Sequence, residues 1–383
     1  MGPEESAYGS IGEHFNDLED PRMERTKHHQ LLDIIAIAIC GVICGADSWV
    51  DLELFGRSKE EWLKRFLSLP NGIPSHDTFG RVFARLDPEK FAQCFTSWVK
   101  AVSQLTQGQV IAIDGKTLRR SHDRANGKSA IHVVSPPEAE ASANHLVLGQ
   151  LKVDDKSNEI TAIPELLEVL ELSGCIITID AMGCQKDIAR QIVEQGADYV
   201  LALKENQGQL YREVTDTFES GLGSGFEGLE HDFHQTVGKG HGRIETRQCW
   251  VVSEPEVLEY LNGEGAWAGL GSVAMVRSKR VVGDEESVES RYYISTLKGD
   301  ARQMLEATRS HWEIENCVHW VLDIAFDEDN SRVRQGNAPQ NLAVVRHIAL
   351  NLLKMEQSSK GGVKARRKRA GWDEDYLLKV LSQ

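Results

Sequence analysis

The stretch Cys175–Asn206, CIITIDAMGCQKDIARQIVEQGADYVLALKEN, constrains the fold more than any other part of the chain. Cys175–Ile179 is a short apolar run with β-branched Ile and Thr, and it ends on Asp180, small residues and Gly183. From Gln185 the apolar Ile188, Ala189, Ile192 and Val193 recur at helical spacing, with Gly196 as a natural stop. Tyr199–Leu203 is a second apolar strand. Strand, helix and strand of this length make a parallel βαβ unit, whose sites lie at the carboxyl ends of its strands. Asp180 stands at such an end. An Asp after a strand also serves as a turn former or helix N-cap, and its position alone does not choose.

Upstream, from Gln109, VIAIDGK is a strand running into Asp114, Gly115 and Lys116. It continues into a strongly basic KTLRRSHDR, with Lys116, Arg119, Arg120 and Arg124 close to that acid. Two further strands, Ala130–Ser135 and Leu146–Val153, and a helix from about Ile160 to Leu172 precede the Asp180 strand. Three strands, a helix, a strand, a helix and a strand, with acids ending the first and fourth strands, is the ribonuclease-H-like order. The expected fold class is therefore α/β.

The flanks differ. Residues 1–105 read as a helical N-terminal domain, with a dense helix at Leu31–Cys44 and amphipathic segments at Ser58–Phe66 and Phe91–Ser103. Between the latter two lies PSHDTFGRVFARLDP. Phe79, Val82, Phe83 and Leu86 share one helical face and Arg81 and Arg85 the other, which suits either a helix-turn-helix-like DNA contact or a packed helical pair. Residues 221–299 are richer in Gly and β-formers and read as a β-rich insertion, with strands in RIETRQCWVVS, SVAMVRSK and SRYYISTL and a hairpin turn at VGDEES. It splits the expected core into 106–220 and 300–355. The last part carries HWEIENCVHWVLDIAFDEDNSR, with Glu315 and His319 four apart, and the amphipathic NAPQNLAVVRHIALNLLK. Residues 356–383 read as a polar tail, with a linker at Ser358–Gly362. Its basic cluster Lys364, Arg366, Arg367, Lys368 and Arg369 is either a solvated surface or a phosphate contact.

Composition limits the function classes. The seven cysteines are odd in number, scattered and without a CxxC pair, so free thiols in a reducing cytosol are expected. The run Ile34–Cys44 is too short for a bilayer, so no membrane role and a cytoplasmic location are expected. A formal net charge of −15 argues against a uniformly basic nucleic-acid binder but leaves room for a local basic groove.

Carboxylates gathered from separate strands repel one another unless a cation neutralises them. Mg²⁺ suits such a site, since it takes hard oxygen ligands and keeps positions for substrate phosphates. Two such ions can activate an attacking oxygen and stabilise a leaving one in phosphodiester chemistry. Asp114 and Asp180 supply two corners. Glu315 is the choice for the third, Glu313 being about 200° away around a helix, and Asp323, Glu328 and Asp329 are weaker candidates.

IAIDGKTLRRS, ITIDAMGCQ with YVLALKENQ, RYYISTL, and HWEIENCVHWVLDIAFDEDNSR with NLAVVRHIALNLLK together resemble the H-repeat-associated (ISAs-type) family of bacterial insertion-sequence DDE transposases. HHQLLDIIAIAICGVICGADSW and PSHDTFGRVF resemble that family's N-terminal associated domain, so the resemblance covers nearly the whole chain. It implies a ribonuclease-H-like core with a β insertion before the last acid, and Asp114, Asp180 and Glu315 as catalytic and metal-binding residues. It also implies Mg²⁺, with Mn²⁺ able to substitute, and double-stranded DNA as partner: the terminal inverted repeats of an element, which are cut, and target DNA, to which the 3′ hydroxyl is joined. A homodimer in a synaptic complex is expected. The sequence departs from the wider group, which places Tyr, Arg, Glu and Lys around the third acid; here Thr308, His311, Glu315 and Leu322 stand at those spacings. His311 is then a phosphate contact, and Lys204 or Arg309 are candidates to replace the missing Lys. A catalytically silent DNA-binding descendant and a ribonuclease-H-type nuclease without strand transfer are the alternative readings.

Overall fold

The computed structural model describes residues 11–102, 107–118, 131–135, 146–153, 159–170, 172–240, 242–263 and 265–383. It begins with helices α1 (Leu31–Ile43), α2 (Trp49–Ser58), α3 (His76–Arg85) and α4 (Pro88–Val102). Strands β1 (Val110–Leu118), β2 (Ile131–Ser135) and β3 (Leu151–Val153) follow, then α5 (Glu159–Val169), β4 (Ile176–Ile179), α6 (Lys186–Glu194), β5 (Asp198–Leu203) and α7 (Gly208–Ser224). Next come β6 (His231–Gly240), β7 (Arg243–Val252), α8 (Pro255–Asn262), β8 (Ser272–Val282) and β9 (Glu285–Ser295). The chain closes with α9 (Ala301–Ile314), α10 (Trp320–Phe326), α11 (Ala338–Met355), α12 (Val363–Trp372) and α13 (Glu374–Leu381).

All nine strands join one mixed sheet in the order β3-β2-β1-β4-β5-β9-β8-β7-β6. The centre, β1-β4-β5, is parallel, and both flanks are antiparallel. All four residues of β4 are buried, as expected of a central strand covered on both faces. The βαβ unit read from Cys175–Asn206 is β4-α6-β5, and Gly196 ends α6 with φ of 74°. The strands of the expected insertion do not build a sheet of their own. They extend the central one through β9, which pairs antiparallel with β5 because Ser272–Ser295 returns as a long hairpin.

Alternation along each strand sorts the side chains by face. Ile177, Ile179, Tyr199 and Leu201 pack with the apolar sides of α5 and α6 in the main core. Ile176 and Val200 pack on the other face against Ala301, Met304, Leu305 and Ala307 of α9. Val110 joins that second group, so Ala112, Asp114 and Lys116 continue along the face that α9 crosses, as do Thr178 and Asp180.

The N-terminal helices close on α11. This helix is buried almost all round, and two of its asparagines are tied to neighbouring backbone. Asn341 Nδ2 donates to the carbonyls of Phe83 and Leu86 at 2.8 and 3.1 Å, and Asn351 bonds both the amide and the carbonyl of Val147 at 2.8 Å. Helix α3 buries Phe79, Val82 and Phe83 and leaves Arg81 and Arg85 exposed. The segment expected at Ser58–Phe66 holds a single helical turn, Glu60–Leu63, which buries Trp62 and Leu63; a longer helix, α2, precedes it, where Ser48 and Asp51 form a reciprocal capping box. Among the described residues, no helix is long and apolar enough to cross a membrane.

The polar tail is the clearest departure from expectation. Residues 363–381 form α12 and α13, which bury Ala370, Tyr376, Leu377, Val380 and Leu381 against the body. Arg367 points inward. It donates to the Val42 carbonyl at 2.8 Å and to Ala325, pairs with Asp47 at 2.9 Å and lies over the Phe326 ring. Arg366 donates to the carbonyls of Leu353 and Glu356, and Arg369 lies over Tyr376. Lys364 and Lys368 remain exposed. Arg367→Ala should therefore lower the free energy of unfolding by about 3 kcal/mol, since it strands buried carbonyls. Lys368→Ala should change it by less than about 0.5 kcal/mol. Urea unfolding curves compare the two.

Burial also pushes the His347 imidazole down to about 4, against the pull of the nearby Glu328 charge. An unfolded His347 takes up its proton near pH 6.5, whereas the folded one does so only near 4. Its contribution is present above 6.5 and is lost as pH falls. Between pH 7 and 5 this should cost about 2 kcal/mol. His347→Gln should flatten that part of the stability profile, measured as urea midpoints at the two pH values.

Candidate active site

Asp114 and Asp180 meet because of strand register. The last parallel pair between β1 and β4 is Ile113 with Ile179, so each acid is the next residue on its own strand and faces the α9 side. β4 ends there, while β1 runs on and pairs with β2 from Asp114 onward. Asp180 is held by its own loop: its Oδ1 accepts the amides of Met182 at 3.0 Å and Gly183 at 3.3 Å. Asn206 donates to the Ala181 carbonyl and Gln207 to that of Cys184, tying the loop to the end of β5.

Glu315 arrives from the opposite wall. Helix α9 does not run smoothly into α10; Glu315–His319 is a turn of π-helix between them. Such bulges often mark functional sites, because the extra residue re-aims the side chains around it. Here it places Glu315 and His319 beside Asp114. His319 Nδ1 is 3.2 Å from Glu315 Oε2 and 3.7 Å from Asp114 Oδ2. One donor atom from each of Asp114, Glu315 and His319 lies within 4.8 Å of the others, a spacing able to hold a metal ion. Two carboxylates and an imidazole accept Mg²⁺ or Mn²⁺ at this spacing, and the nitrogen donor favours the latter. Asp180 borders the same cleft but lies outside that three-residue cluster. His319 was visible in the sequence only as a residue four after Glu315, and the π turn that aims it has no sequence signature.

The cleft is about 800 Å³ and runs from the acids to Lys204 and Arg291. Arg291 lies 3.7 Å over the ring of Trp312, which is half exposed. His311 Nδ1 is 3.2 Å from Thr178 Oγ1. Burial holds its imidazole down at about 4, with the Asp180 charge pulling only partly the other way. It is neutral at pH 7, so it can meet a phosphate by hydrogen bonding but not as a cation. Lys204 is exposed at the rim, and Arg309 is exposed in an adjoining recess with Arg243, Arg247 and Arg280.

Lys116 differs from the DNA contact expected of it. Its ammonium is turned inward, 2.7 Å from Asp323 Oδ1 and 2.8 Å from Glu328 Oε2, with 12% of the side chain exposed. Asp323 and Glu328, two of the three weaker candidates for a third acid, are thereby committed to ion pairs. Arg119, Arg120 and Arg124 lie outside the described residues.

A model of the transposase DDE domain matches residues 105–352, and one of the DDE_Tnp_1-associated region matches residues 12–99. The chain belongs to the DDE transposase family. "Putative transposase YncI" of Escherichia coli O157:H7 is 42% identical over 378 residues, 97% of this chain and 94% of that relative. "H repeat-associated putative transposase YhhI" of Escherichia coli (strain K12) is 41% identical over 374 residues, 97% of each. These near full-length matches put the chain in the H-repeat-associated branch of the DDE transposases. "Inactive transposase YbfQ" of Escherichia coli (strain K12) is 41% identical over 73 residues, 19% of this chain and 87% of that relative.

The loop after Asp180 leaves no room for a side chain at Gly183. A Cβ there would stand 2.3 Å from Ile179 Cγ2 and 2.9 Å from Ile163 Cδ1. Gly183→Ala should destabilise the transposase by about 1–3 kcal/mol and displace the amides that hold Asp180. Urea unfolding gives the first, and a crystal structure of the variant gives the second.

Proposed function

We propose that this DDE transposase cuts DNA at the ends of an insertion sequence and joins the freed 3′ hydroxyl to target DNA, with Asp114, Asp180 and Glu315 as catalytic residues. The observation that carries the reading is the convergence of three acids from separate elements on one open cleft, two of them at matched register on neighbouring strands. The order β3-β2-β1-β4-β5, antiparallel then parallel, supports a ribonuclease-H-like core made of residues 106–220 and 300–355. In this scheme residues 1–105 are the associated helical module and 221–299 the β insertion.

Divalent metal bound by such acids activates the attacking oxygen and stabilises the leaving one in phosphodiester transfer. The chain's own part is to place the donors and the DNA. Asp180 is oriented by two backbone amides, and Glu315 and Asp114 share the His319 imidazole. Lys204 and Arg309, both exposed, would take phosphates, and His311 would hydrogen bond to one. Lys364 and Lys368 are the members of the C-terminal cluster free to add a contact. The substrates on this reading are the terminal inverted repeats and target DNA, brought together by a homodimer.

The silent descendant remains the second reading because one relative is named as inactive. Strand cleavage of a duplex carrying the element's end, with Mg²⁺ or Mn²⁺, separates the two. Asp180→Asn keeps shape but loses a charge. Its folding and end binding should persist, while cleavage falls by about 10²-fold or more. Equal cleavage by wild type and Asp180→Asn would place the chemistry elsewhere. End binding by wild type without cleavage under either metal would select the silent reading.

A further inference from the structure

We propose that Lys116 is a positioning residue for the DDE site: it locks the π turn that carries Glu315 and His319 in register with Asp114. The inference rests on the transposase reading for its activity arm only. Asp114 and Lys116 are two apart on β1 and so share a face. That face meets the π turn and α10 at two levels. At one, Asp114 Oδ2 faces His319 Nδ1 at 3.7 Å. At the other, Lys116 Nζ donates to the His319 carbonyl at 3.3 Å, to Asp323 at 2.7 Å and to Glu328 at 2.8 Å. The same residue, His319, thus touches β1 through its ring and through its backbone.

The far end of the clamp is anchored. Glu328 is 3% exposed, and its second oxygen lies 3.6 Å from Arg346 Nη1 of the buried helix α11. β1, the π turn, α10 and α11 are therefore joined through charges of which Glu328 and Arg346 have almost no water to turn to. The Glu315 side chain is 69% exposed, and among the described residues its ion-pair partner is His319. A π turn has looser geometry than an α-helix and needs such a fixture to hold one side-chain direction.

The test uses the full-length chain and three measurements: Mn²⁺ affinity by titration calorimetry without DNA, cleavage kinetics on a DNA-end duplex, and the salt dependence of end binding. Lys116→Met should lower Mn²⁺ affinity 10- to 100-fold, as loss of an outer-shell partner does, and lower kcat by about 10²-fold with KM unchanged. The salt slope should not move. Lys116→Arg, which keeps the charge, should recover most of both losses. Lys116→Met leaves Glu328 facing a missing charge, so Lys116→Met/Glu328→Gln serves as the charge-balanced partner; folded by circular dichroism, it should remain deficient in Mn²⁺ binding. Wild-type Mn²⁺ affinity and kcat in either folded variant would overturn the proposal. So would a salt slope reduced by about one unit with kcat intact, which would make Lys116 a phosphate contact. If wild type binds Mn²⁺ but never cuts, the transposition reading fails alone, and the calorimetry still decides the role of Lys116.

Discussion

Lys116 carries a positive charge into a place nearly closed to water, and the arrangement of the site follows from how that charge is balanced. Burial alone would push its ammonium below the usual lysine range; Glu328 and Asp323 reverse this and leave it raised. Burial likewise favours a neutral Glu328, and Lys116 and Arg346 overcome that to hold its carboxyl below the ordinary value. Lys116 and Glu328 thus keep each other ionised, while burial still leaves the Asp323 carboxyl above its ordinary value. Buried pairs of this kind add little net stability, because desolvation offsets most of the attraction, but removing one member is costly. Their effect is to fix which turn of α10 sits against which residue of β1.

The sheet supplies the other constraint. Parallel pairing of β1 with β4 leaves both chains at the same level after Ile113 and Ile179, so the following acids emerge side by side without any special contact between them. Strand alternation then turns both toward α9. The main core on the opposite face holds this register, since a slip by one residue would exchange Ile177 and Ile179 for Thr178 and Asp180. The site is thus a consequence of core packing on one face and helix placement on the other.

Basic residues divide by the same physics. Arg367 lies in one strongly cationic stretch and Lys116 in another, yet both turn inward to carbonyls and carboxylates. A guanidinium satisfies several backbone acceptors at once, which makes Arg367 suitable for closing the gap between α1, α10 and α12. Among the described residues, exposed cations border the cleft at Lys204 and the recess beside it at Arg243, Arg280 and Arg309.

Strong local periodicity made β4, α6 and β5 legible, since a short apolar run, a helical stripe and a glycine stop each follow from nearest-neighbour chemistry. The same holds for Asp180 as a strand-end acid, and for the family, whose motifs are contiguous; Asp114, expected at a strand end, lies within β1, which runs on to Leu118 to pair with β2. Helix α7 carries a helical stripe of its own, Leu210, Val214 and Phe218 at a spacing of four, whereas β6 has few apolar positions and its face is set by packing on β7. The tail was misjudged for a related reason. Helix α12 has little amphipathic pattern, and only its docking onto α1 and α11 determines that Arg367 is inside. Sequence alone therefore determined the central βαβ unit and the chemical character of the site. Tertiary structure decided which acids share a metal-sized space, that His319 joins them, and that Lys116 faces inward. Those outcomes depend on contacts between residues about 200 positions apart, and no local pattern encodes such contacts.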